Sequence, residues 1–134
     1  MYETILVATD GSESADRAVD YAVDLASTFD AELCAISVVD TRRYGDSMLS
    51  GDASIVESLE RRGTELLEDV QARTDVDVST ELRRGRPHEE IAGFADENDA
   101  DLIVLGNRGL GSSAEIGSTA ERVVRYVDRP VLTV

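Results

Sequence analysis

Five apolar runs of strand length alternate with four stretches of helical period along this chain, and no other feature narrows its fold as far. Residues 4–9 are apolar and β-branched, stop at Asp10-Gly11, and read as a buried strand. Residues 14–29 place Ala15, Ala18, Val19, Ala22, Leu25, Ala26 and Phe29 on one helical face. Residues 31–39 form a second apolar strand, and residues 40–52 have no period and read as a loop. Residues 55–73 repeat Ile55, Val56, Leu59, Leu66, Leu67 and Val70 as a second helix. Residues 76–82 alternate apolar and polar side chains, which predicts a strand with one wet face at a sheet edge. Pro87 opens a helix over residues 87–97, where its missing N–H costs nothing. A short buried strand over 101–105, a helix over 118–127 and a closing strand over 130–134 complete the chain.

Strands separated by helices imply a parallel sheet with helices on both faces. Right-handed crossovers narrow the topology, and the order 3-2-1-4-5 sets the first and fourth strands side by side. The expected architecture is a three-layer α/β/α sandwich of the Rossmann-like kind, in one domain spanning residues 1–134. In such open sheets ligands settle beyond the strand C-termini, where the order reverses.

Both strands at that point run into polar or glycine-rich turns. The fourth leads into Gly106-Asn107-Arg108-Gly109-Leu110-Gly111 and then Gly117-Ser118 at a helix start. Glycines let backbone N–H groups crowd an anion, and a helix N-terminus adds positive potential. The same glycines also serve any turn that needs positive φ. The first strand ends in Thr9-Asp10-Gly11-Ser12. Asp10 there either orders a magnesium ion, bonds a ribose hydroxyl or caps the first helix. Ser118 with Glu121 spells a capping box, and its hydroxyl serves either the cap or a phosphate oxygen. Arg108, the basic side chain of the glycine segment, either offsets phosphate charge or points into solvent. His88 follows Pro87 at a helix start and reads as a surface or capping residue. No nucleophile with its base and no set of metal ligands stands out.

Charge excludes further classes. Twenty-eight acidic residues face 13 basic ones, for a net charge of −15. Every basic residue among them is arginine; lysine is absent. A surface that repels itself this strongly is calmed by molar salt, which points to a protein adapted to high salt, with an ordinary acidic protein as the alternative. Nucleic acid is a poor partner, because Arg42-Arg43, Arg61-Arg62 and Arg83-Arg84 are too scattered to neutralise phosphates. A phosphoacceptor receiver shares the alternating pattern but needs a lysine that this chain lacks. Cys34 is the one cysteine and sits in an apolar run, as a buried structural thiol would. With no membrane-length apolar run and no basic-then-apolar leader at Met1–Ile5, a cytoplasmic location is expected.

The chain resembles the universal stress protein family over its whole length. The resemblance rests on Ile5-Leu-Val-Ala-Thr9-Asp10-Gly11-Ser12 and on Ala100-Asp-Leu-Ile-Val-Leu-Gly106-Asn-Arg-Gly109. Gly85-Arg-Pro-His-Glu-Glu-Ile91, Gly117-Ser118 with Glu121-Arg-Val-Val, and Arg129-Pro-Val-Leu-Thr-Val134 complete it. It implies a homodimer joined by antiparallel pairing of the last strands, residues 131–134. It also implies an adenine nucleotide, ATP or AMP, with magnesium where the phosphates carry it. Phosphate contacts would fall to Gly106, Asn107, Arg108, Gly109 and Gly111, then to Gly117, Ser118 and Thr119. Ala8, Thr9, Asp10 and Ser12 would lie by the ribose or metal, and Val38 and Val39 by the adenine. The family's ATP-binding branch places nine residues between its second glycine and the closing Gly-Ser. Here seven, from Leu110 to Ile116, stand between Gly109 and Gly117. The expected function is a stress-response or signalling module, not an enzyme beyond slow ATP hydrolysis. The alternative is a nucleotide-free dimeric interaction protein.

Overall fold

The computed structural model describes residues 2–40, 53–107 and 117–134. In chain order these form β1 (Thr4–Ala8), α1 (Glu13–Phe29), β2 (Glu32–Asp40), α2 (Ala53–Ala72) and β3 (Val78–Gly85). There follow α3 (Pro87–Glu97), β4 (Leu102–Leu105), α4 (Ser118–Tyr126) and β5 (Val131–Thr133). The five strands pair in the order β3-β2-β1-β4-β5, and every pairing is parallel. That is the predicted order.

The period of two along each strand decides which helix it meets. Ile5, Val7, Leu33, Ala35, Leu102 and Val104 point to one face and join Ala18, Val19, Ala22 and Ala26 of α1 with Leu67 and Val70 of α2. Leu6, Cys34, Ile36, Ile103 and Leu105 point to the other and join Ile91, Phe94 and Ala95 of α3 with Ala120 and Val123 of α4. A sheet buried on both faces explains why its central strands read as unbroken apolar runs. Ile5, Leu6, Val7 and Ile103 are fully buried. Truncating one such leucine or isoleucine to alanine costs about 2–5 kcal/mol. Cys34 lies in the second cluster as expected; burial, then the charge of Glu32, pushes its thiol above the ordinary value.

Polar groups fix the element ends. Ser12 caps α1, its Oγ accepting from the Ala15 N–H at 3.2 Å. Asp30 closes the same helix at φ 54°, a left-handed position that aspartate tolerates better than most side chains. Asp101 Oδ2 accepts from the N–H groups of Glu3 and Thr4 at 2.8 and 2.9 Å, tying the start of β1 to the approach to β4. Those two bonds hold the Asp101 carboxyl below its usual range.

Strand β3 is an edge, as predicted, but starts and ends later than residues 76–82. The Thr74 hydroxyl accepts the Val76 N–H at 3.0 Å, which holds that residue in a turn. The strand then runs on through Arg83 and Arg84 because Val38, Val39 and Asp40 of β2 offer partners to the last. Of the loop predicted at residues 40–52, Asp40 belongs to β2 and the rest lies outside the described residues. The capping box at Ser118 does not form. Gly117 is the N-cap, in extended conformation with no side-chain cap, and Glu121 pairs instead with Arg125. His88 does not cap α3, whose N-cap is Arg86; its ring stacks on Tyr126 of α4 at 5.7 Å.

Candidate functional site

Val7 and Val104 are register partners, so β1 and β4 end side by side at the reversal of strand order. The turn after β1 is held by its own short side chains. Thr9 is buried; its N–H donates to the Ile36 carbonyl at 3.0 Å, and its Oγ1 accepts from the Gly11 N–H at 3.4 Å. Asp10 Oδ1 accepts from the Ser12 N–H at 2.9 Å. Asp10 thus shapes the approach to the cap while Ser12, not Asp10, caps α1. Gly11 takes φ +84°, which side-chain-bearing residues adopt only with strain.

The end of β4 presses onto that same turn. A Cβ placed on Gly106 would stand 2.6 Å from the Ala15 nitrogen and from the Ser14 carbonyl carbon. No side chain fits there, so the glycine lets the β4 end reach the first turn of α1. Asn107 follows. Its N–H donates to the Val134 carbonyl at 2.9 Å, and its carbonyl accepts from Gly117. Its side-chain Oδ1 is buried and has no hydrogen-bond partner among the described residues. A buried acceptor left unmet costs about 1–3 kcal/mol, and such an atom is the kind a ligand donor satisfies.

The helices that follow β1 and β4 begin differently. The N-terminus of α1 is answered by Ser12 and carries Glu13 and Asp16 in its first turn. The N-terminus of α4 has no side-chain cap. Its first N–H groups are therefore the ones an anion would meet, with help from the helix dipole. Ser118 is exposed and Thr119 half-buried at that start.

Most of the residues predicted for the site gather here. Ala8, Thr9, Asp10 and Ser12 lie at the β1–α1 turn, Gly106 touches that turn, and Asn107 holds Gly117 beside Ser118 and Thr119. Val38 and Val39 lie two and three residues beyond Ile36, the partner of Ala8, and so overhang the end of β1. Val39 is buried and Val38 packs against the α3–α4 core. Arg108, Gly109 and Gly111 lie outside the described residues. Asp10 is exposed, and among the described residues no group of three or more His, Cys, Asp or Glu gathers as for a metal ion. The sequence reading missed two neighbours. Arg62 and Leu66 of α2 reach the Gly11 turn, with the Arg62 Nη2 3.2 Å from where a Cβ would stand. Only Leu66 left a trace in the sequence, as part of the helical repeat.

Known proteins share this arrangement. The sequence model described as "Universal stress protein family" matches residues 1–134. A universal stress protein of Methanocaldococcus jannaschii is 37% identical over 140 residues, covering 100% of this chain and 82% of its own length. The structure of a universal stress protein from Lactobacillus plantarum superposes with a TM-score of 0.89 at 29% identity, covering 99% of this chain and 97% of that one. A universal stress protein solved in complex with cAMP superposes with a TM-score of 0.70 at 30% identity, covering 99% of this chain and 96% of that one.

Proposed function

The chain belongs to the universal stress protein family, and from that premise we propose that it is a small adenine-nucleotide-binding module of stress response or signalling that acts as a homodimer. The observation that carries the reading is the close approach of Gly106 to the first turn of α1 at the strand-order reversal, the place where open α/β sheets hold their ligands. The residues present suit a nucleotide. The buried Asn107 Oδ1 wants a donor, which a ribose hydroxyl or adenine amino group supplies. The uncapped start of α4 at Gly117, Ser118 and Thr119 suits phosphate. Thr9, Asp10 and Ser12 border the ribose and any magnesium, and Val38 and Val39 lie on the adenine side. Arg108, Gly109 and Gly111 belong to the same phosphate seat in this reading. The relative solved with cAMP supports an adenine ligand for this chain.

Occupancy of the cleft would act by changing partner contacts rather than by fast chemistry, with slow ATP hydrolysis at most. Residues 1–134 work as one domain, pairing with a second copy along residues 131–134. We place the protein in the cytoplasm, at high salt, with no nucleic-acid partner. Among the described residues no helix is long and apolar enough to cross a membrane.

Titration with labelled ATP and magnesium in molar KCl tests the reading. Saturable binding below millimolar is the expected result, and its absence overturns it. One observation favours a second reading, a nucleotide-free dimeric interaction protein. Seven residues separate Gly109 from Gly117, two fewer than in the family's ATP-binding pattern. Mass spectrometry of small molecules released from the purified protein separates the two.

A further inference from the structure

Arg62 is remote from the β1–α1 turn in sequence, yet α2 brings it to Gly11. Gly106 touches the first turn of α1 at Ser14 and Ala15, and Arg62 and Leu66 reach the preceding turn at Gly11. Leu66 is half-buried and steadies α2 against the turn, with its Cδ2 3.3 Å from the Gly11 Cβ position. Gly11 has no side chain, so the guanidinium of Arg62 lies directly over the turn's backbone.

Its charge is weakly engaged. Among the described residues the carboxylate it pairs with is Glu65, at 3.9 Å, and both side chains are largely exposed. Arg73, Arg83, Arg84 and Arg129 each hold a carboxylate at 3.0 Å or closer. An exposed pair as long as Arg62–Glu65 contributes little, so the guanidinium is free to turn to a better anion. The site also needs such a cation. Asp10, beside Gly11, is an exposed carboxylate that repels phosphate, and the chain has no lysine to offset it.

We propose that Arg62 is a specificity-determining residue of the nucleotide site: from the β1–α1 turn, which the ribose borders, its guanidinium reaches the phosphate group attached to that ribose and ranks ligands by phosphate charge. The inference rests on the reading of the cleft as an adenine-nucleotide site. A guanidinium presents a planar fork that matches two phosphate oxygens at once, which an ammonium cannot do.

Calorimetric titration of the wild type, R62A, R62K and the neighbouring R61A with ATP, ADP and adenosine, all in the same molar KCl, tests it. R62A is expected to weaken ATP about tenfold, ADP by less, and adenosine by under about twofold, the loss of one charge-assisted contact. R62K is expected to fall between wild type and R62A, and R61A to match wild type. Equal losses for ATP and adenosine in R62A, or none for ATP, overturn the role of Arg62 while leaving the nucleotide site standing. A wild type that binds none of the three ligands brings down the nucleotide reading, and this inference with it.

Discussion

Strand β3 carries charge along its side of the sheet, whereas β5 leaves the opposite side short and apolar. On β3, Arg83 reaches Glu81 of its own strand and Glu90 and Glu97 of α3, and lies 5.2 Å above the Phe94 ring. Next to it Arg84 meets both carboxylate oxygens of Glu60 on α2, at 2.7 and 2.9 Å. One strand is thus fastened to a helix on each face, and its charges deter another strand from adding to it. Three residues make up β5. Leu132 is 37% exposed there, and Val124 and Tyr126 of α4 are 50% and 67% exposed. An apolar open edge of this kind invites pairing. The contrast teaches that arginine does the protective work lysine does on many edges, and that the protection is applied to one side alone.

The largest effect should come from charging the bare edge. Leu132→Asp sets like charges against each other wherever two β5 edges pair, and is expected to raise the dimer dissociation constant at least about 100-fold. Sedimentation velocity reads this directly, and an unchanged dimer would remove β5 from the interface. Salt comes next. Raising KCl shortens the screening length from about 10 Å at 0.1 M to about 3 Å at 1 M. With a net charge of −15 the folded state should gain, by roughly 10 °C in melting temperature. Repulsion between two acidic copies is screened as well, so pairing at β5 should tighten over the same range. A melting temperature highest in dilute buffer would refute the high-salt reading.

Arg83→Ala should loosen the guarded edge more modestly. It removes ion pairs of a half-buried arginine and one cation–π contact, for a loss of about 1–2 kcal/mol in denaturant unfolding. A loss near zero would mean that β2 alone holds β3. The smallest effect is one of pH. The Arg84 guanidinium, by hydrogen bond and then by charge, holds the Glu60 carboxyl below its ordinary value. The stability from this pair is therefore complete above the ordinary glutamate range, and is lost as pH falls through the lowered value. Glu60→Gln should flatten the acid limb of the stability curve below the ordinary glutamate range. An identical acid limb in the variant would show that the pair contributes nothing.

The order of strands and the sorting of helices were legible in the sequence because both follow from period. Runs such as Ile5-Leu6-Val7 must be buried on both faces, and strict alternation places Val7 and Leu6 against different helices. The two strand-to-turn junctions at the reversal of strand order were legible, since Gly106 and Asp10-Gly11-Ser12 are local signals. What escaped was set by partners distant in the chain. The late end of β3 depends on three residues of β2. The shift of the α4 cap from Ser118 to Gly117 follows from where Asn107 anchors the chain. Arg62 at Gly11 is a contact of tertiary packing alone; no spacing in the sequence encodes it.

The peptide group of Asn107 has a mechanical meaning that its side chain does not reveal. Through its N–H it grips Val134, whose own N–H returns to Leu105 at 2.8 Å, and through its carbonyl it grips Gly117. The end of β4, the start of α4 and the bare edge are therefore tied through one peptide group. Were a ligand to bind beside this peptide, linkage would require that anything at the edge that shifts the same bonds alter its affinity in turn.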